Sequence, residues 1–153
     1  MSASWRRFTG GEAGFAGGLE GLVFGMLVFV LGTVLVANAW GVVDTKLAAD
    51  AAARQAARTF VEAPDAAAAG AEARRAADET LAGYGRSPAR AAISLVAGGF
   101  ERCRRVTVEV DYSAPLVELP LVGLVGSGEK VTARHSEIVD PFRTALAGTS
   151  RCP

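Results

Sequence analysis

Polar and apolar positions divide this chain sharply near residue 44. Between Glu20 and Asp44 lie 23 residues without a formal charge, GLVFGMLVFVLGTVLVANAWGVV. Wound as a helix, this run measures roughly 34 Å, longer than a bilayer's hydrocarbon core of about 30 Å. Only Thr33 and Asn38 within it are clearly polar, and Trp40 lies near one end, where the headgroup region favours an amphipathic ring. The pattern predicts a transmembrane helix over 15–43. A removable secretory signal is the competing reading. Its apolar region would typically be about 7 to 15 residues, however, and no crisp small-residue cleavage pattern follows here beyond Val36-Ala37-Asn38-Ala39.

Helical texture continues past the apolar run. Lys46, Asp50, Arg54 and Arg58 recur every four residues on one side, with Asp50 and Arg54 spaced for an i, i+4 ion pair. Ala49, Ala53, Ala56 and Phe60 recur on another side at steps of 4, 3 and 4. One long helix is therefore expected, apolar all round in its first half and amphipathic in its second, ending at Pro64. A second, Ala-rich helix is expected from Asp65 to about Gly83. Glu72, Arg74, Arg75, Asp78 and Glu79 form its solvated side, and Gly83-Tyr84-Gly85 stops it.

The period then changes from helix to strand. Ala91–Ala97 reads as a short strand followed by a turn at Gly98-Gly99. In 105–112, Val106, Val108, Val110 and Tyr112 alternate with Arg105, Thr107, Glu109 and Asp111, the clearest strand in the chain. Residues 129–139 predict a third strand. The apolar stretch APLVELPLVGLVGSG between these two is broken by Pro115 and Pro120, and reads as a loop pressed onto the sheet or a partner. The fold class expected is α+β: a long N-terminal transmembrane helix continuing into an Ala-rich helix, a second helix, then a small antiparallel sheet of three strands. Three segments follow: a short cytoplasmic leader-like piece over 1–14, the span over 15–43, and an extracytoplasmic domain over 44–153.

Charge narrows the function classes. The 16 basic and 16 acidic residues balance and are mixed along the polar part, with no basic block to suit nucleic acid. Arg6 and Arg7 in the short leader favour a cytoplasmic N-terminus. Lys46, Arg54 and Arg58 oppose this, but long downstream domains translocate largely regardless of charge. The only cysteines, Cys103 and Cys152, both fall in the domain. They are candidates for a disulfide in an oxidising compartment, the alternative being two unrelated thiols. The single histidine, His135, sits in a strand beside Glu137, a setting that is more often structural than catalytic. No nucleophile–base pairing, zinc-binding helix or phosphate-binding loop is visible, so neither an enzyme nor a cofactor or metal site is expected.

Glu20 stands at the entry to the apolar helix, where a carboxylate is costly unless it meets the interface or a partner. The plain reading is an acidic group in a helix's first turn, favoured by the macrodipole. A different reading uses the surrounding order: a leader with two arginines, then Gly14-Phe15, then Glu20, then a long apolar helix. That order resembles the type IV pilin class of signal, in which a prepilin peptidase cuts after a glycine and the glutamate neutralises a neighbouring subunit's new amine. Cutting after Gly14 makes Glu20 the sixth residue, where the family's pattern has it fifth. Gly14, Gly18, Gly21, Gly25 and Gly32 are spaced along one helical face and would let another helix approach closely.

Together with VTVEVDY, PLVELPLVG and VTARHSEIVDPFR, this arrangement resembles the TadE-like minor pseudopilins of tight-adherence pilus systems. The resemblance implies a structural or assembly role in a pilus or related secretion apparatus. Partners would be the membrane, other pilin-like subunits, pilus assembly proteins and copies of the chain itself, with processing by prepilin peptidase at Gly14 and Phe15. Glu20, Gly18, Gly21 and Gly25 would serve helix assembly. The expected location is the cytoplasmic membrane or cell surface, N-terminus inside and domain outside. The alternative is a bitopic envelope protein whose outer domain binds a partner without entering a filament.

Overall fold

The computed structural model describes residues 13–114 and 129–152. Helix α1 runs Ala13–Glu62 and helix α2 runs Ala66–Gly83. A single 3-10 turn at Pro88–Arg90 leads into three strands: β1 (Ala91–Ala97), β2 (Arg105–Ala114) and β3 (Glu129–Ile138). The strands form one antiparallel sheet in the order β1-β2-β3. The α+β class expected from the sequence is the observed one, with a long apolar N-terminal helix, a second helix and three strands. Residues 1–12 of the leader-like piece over 1–14 lie outside the described residues, as does most of the apolar stretch between β2 and β3.

Two compact units share the chain, one over 1–37 and one over 38–153. In the first, α1 carries Leu, Val, Phe and Met on all sides, and no described side chain from Glu20 to Ala37 is buried. It is the one helix among the described residues long and apolar enough to cross a membrane. Thr33 does not interrupt that surface, because its hydroxyl donates to the Phe29 carbonyl oxygen one turn back at 2.8 Å.

The second unit is built on small side chains. Ala48, Ala49, Ala52, Ala53, Ala56, Ala57 and Phe60 of α1 are buried in one cluster with Ala69, Ala73, Ala77 and Leu81 of α2. The same cluster takes in Val106, Val108, Val110 and Tyr112 of β2 and Val131 and Ala133 of β3. Each buried methyl contributes only about 0.8 kcal/mol, so the alanines of the two helices add little apiece, and Phe60, Leu81, Tyr112 and the β2 valines supply the larger apolar groups of the cluster. The period-2 pattern of β2 explains its place at the sheet's centre: every second residue enters the core while Thr107, Glu109 and Asp111 face the other side.

Local chemistry sets the element boundaries. The Asp65 side chain accepts from the backbone N–H of Ala67 and of Ala68, both at 2.9 Å, and so caps α2. At the other end Gly85 takes a φ of +69°, with Gly85 N donating to Ala82 O and Arg86 N to Leu81 O, each at 2.9 Å. That pattern is the Schellman stop that the glycines at 83 and 85 signal. In the β1–β2 connection Gly98 sits at φ +95°, with the Arg105 carbonyl where a Cβ would stand, so only glycine fits. Asp50 pairs with Lys46 at 3.0 Å, one turn before it, in place of the Arg54 pairing expected from spacing. The reason is tertiary: Lys46 also donates to the Thr132 carbonyl of β3 at 2.6 Å, which fixes its ammonium beside Asp50.

Candidate functional site

Two sets of residues carry the functional expectations: the face of α1 around Glu20 and the cysteine pair. On the helix, Glu20 is exposed and borders a shallow groove lined by Val23, Phe24 and Leu27. Gly18, Gly21, Gly25 and Gly32 are open, and a Cβ built on any of them would meet nothing within 4 Å. At about 100° per residue these four fall within an arc of about 60°. Glu20 lies roughly 130° around the helix from the middle of that arc. The glycines therefore share a face, and Glu20 belongs to a different one. Gly14 and Phe15 lie in the first turn of α1.

The cysteines do meet. Cys103 and Cys152 form a disulfide with sulfurs 2.11 Å apart and Cα atoms 5.0 Å apart, across 49 positions of sequence. Cys103 adopts a φ of +59° at the end of the β1–β2 connection, and its N–H donates to Val139 O at 3.0 Å. Cys152 is exposed and Cys103 partly buried.

A residue that sequence reading missed is Arg143. No basic residue stands in the last turn of α1, so the carbonyls there lack the cation that a helix C-terminus favours. Arg143 supplies it from the C-terminal segment. Its Nη1 donates to Val61 O at 2.6 Å, and its Nη2 reaches Ala63 O and, at 3.5 Å, Glu62 O. The guanidinium also lies 5.0 Å from the centroid of Phe100, whose ring meets Phe60 edge-on at 5.9 Å. The 80-odd residues between Arg143 and its acceptors hide this relationship from any local pattern.

His135 and Glu137 lie 3.0 Å apart, partly buried at the β3 edge. Among the described residues, no three of His, Cys, Asp and Glu converge to hold a metal ion. On the open face of the sheet, Asp111 accepts from Thr132 Oγ1 at 2.5 Å and lies 2.9 Å from Lys130 Nζ. The hydrogen bond from Thr132, that from Lys130 and the Lys130 charge hold its carboxyl below the usual aspartate range. These contacts make a polar ladder across strands, with Glu109–Arg134 and Thr107–Ser136 beside it. No known protein family, curated protein or solved structure matches the chain.

Proposed function

We propose that the protein is a single-pass envelope component, anchored by α1 with its α+β domain outside the cytoplasm, acting as a TadE-like minor pseudopilin in a pilus or related secretion apparatus. The observation that carries this reading is the first half of α1. Its apolar side chains are uncovered on every side, with Phe24, Phe29 and Leu35 each about 70% exposed. Such a surface needs lipid or other helices around it. The disulfide supports an oxidising compartment for the domain. Processing between Gly14 and Phe15 by a prepilin peptidase belongs to the same reading, and so does helix packing through Gly18, Gly21 and Gly25.

The angular separation of Glu20 from the glycine arc favours a second reading. A helix seated on the glycines would not touch Glu20, so the carboxylate would need a separate contact or none. In that case the protein is a bitopic envelope component whose domain binds a partner without entering a filament.

Glu20→Gln separates the two. If Glu20 pairs with an amine at a subunit contact in lipid, the loss of one member of a buried pair costs about 3–5 kcal/mol and abolishes recovery of partner subunits. If it only decorates a helix start, the change is within about 1 kcal/mol. The Thr33→Ala control should be mild under both, because that hydroxyl is satisfied within its own helix. Partner recovery unchanged by Glu20→Gln would leave the anchored, non-filament reading.

A further inference from the structure

The segment after β3 makes two separate attachments. The first is to the β1–β2 connection. Val139 N donates to Arg104 O at 3.0 Å, Arg102 N donates to Ala147 O at 2.9 Å, and Arg102 Nε donates to Arg143 O at 2.8 Å. Gly148, at φ +103°, lies close against Arg102. The second is Arg143, whose guanidinium occupies the last carbonyls of α1. Between Asp140 and Cys152 no side chain is fully buried, and Leu146 alone of this stretch packs against the core cluster. Little apolar burial holds the segment down, and its one covalent anchor is the bond from Cys152 to Cys103. That bond is open to solvent at Cys152, which is the setting of reducible disulfides.

We propose that residues 140–152 form a redox-set strap. While the Cys103–Cys152 bond stands, it keeps Arg143 in its socket on α1. When a dithiol reduces the bond, the strap lifts, Arg143 leaves the carbonyls of Val61 and Ala63, and the α1–α2 corner opens to solvent. The exchange balances. A thiolate of the dithiol attacks the Cys152 sulfur, and Cys103 departs as a thiolate and takes a proton. The dithiol's second sulfur then displaces Cys152, which is protonated in turn. Two electrons and two protons pass from the dithiol, which becomes a disulfide, to the two cysteines. This inference is independent of the filament reading, since it requires only the domain's own contacts.

Trypsin reports on the strap directly, because an arginine committed to the α1 carbonyls cannot enter the protease's specificity pocket. The full chain in detergent micelles is digested briefly with and without prior reduction, quenched, fully reduced and weighed. Arg151→Gln is carried throughout, because cleavage after Arg151 would itself release the strap from Cys152, and hydrolysis of a small arginine ester added to both digests controls for protease activity. The expected result is a rise of about ten-fold or more in cleavage after Arg143 on reduction, with no rise after Arg105 in β2. A Cys103→Ser/Cys152→Ser double variant should behave as reduced without any dithiol, and reoxidation of the native chain should restore protection. Equal cleavage after Arg143 in both states overturns the proposal. So does a matching rise after Arg105, because reduction would then unfold the domain as a whole and no separate strap would exist.

Discussion

Lys46 of α1 donates to the backbone carbonyl of Thr132 in β3, 86 positions away, at 2.6 Å. β3 is an edge strand, and an edge presents a row of backbone groups that can pair with another chain. An ammonium from the neighbouring helix satisfies one such carbonyl and places a charge where an added strand would lie. β1, the opposite edge, has no charge in its seven residues, and Leu95 and Val96 are each about half exposed there. The two edges are therefore protected unequally.

Removing the donor while keeping the stem tests this contact. Lys46→Met should lower the domain's stability by about 1 kcal/mol, the modest end expected for a half-exposed charged hydrogen bond. Chemical denaturation of the full chain in detergent measures it. A change below about 0.3 kcal/mol would mean that solvent replaces the contact at no cost.

The core makes a sharper claim. Ala77 of α2 is fully buried, as are Ala53 and Ala56 of α1 in the same cluster. Ala77→Leu adds volume where no side chain can yield, and should destabilise by about 1–3 kcal/mol. Ala71, exposed on the same helix, provides the comparison: Ala71→Leu should stay within about 0.5 kcal/mol of the native chain. Thermal unfolding of both variants decides it, and equal melting temperatures would contradict the packing described.

How far these features could be read in the sequence depends on the range of the interaction responsible. The ends of α2 were legible because Asp65 and Gly85 act on backbone within three or four residues of themselves. The face of β2 was legible because alternation is a property of the strand alone. The charged side of α1 was legible from its four-residue spacing, but the pairing of Asp50 with Lys46 in place of Arg54 was not, since the Lys46 acceptor on β3 is distant in sequence. Arg143 was invisible for the same reason. The separation of the glycine arc from Glu20, by contrast, is local, since about 100° per residue places them on different faces of α1 from spacing alone.

Asp111 gives the domain a pH dependence whose sign follows from its surroundings. Thr132 and Lys130 hydrogen-bond its carboxylate, and the charges of Lys130 and Arg134 add to their effect, so the folded state binds the proton less readily than the unfolded chain. A group of lowered pKa contributes stability that is fully present above the unfolded value, about 3.9 for aspartate, and is lost as pH falls through the folded value. The domain should accordingly keep this contribution at neutral pH and lose it in the acid range below about pH 4. Asp111→Asn removes the titration while preserving shape and one acceptor. The variant should be less stable than the native chain at pH 7, and the difference should shrink as pH is lowered toward 2 to 3. Lys130→Met should produce a smaller change of the same sign, because the Thr132 hydroxyl remains at 2.5 Å. Denaturant midpoints measured across this range check the claim. A gap between native and Asp111→Asn that stayed constant with pH would place the effect of Asp111 in packing and not in its charge.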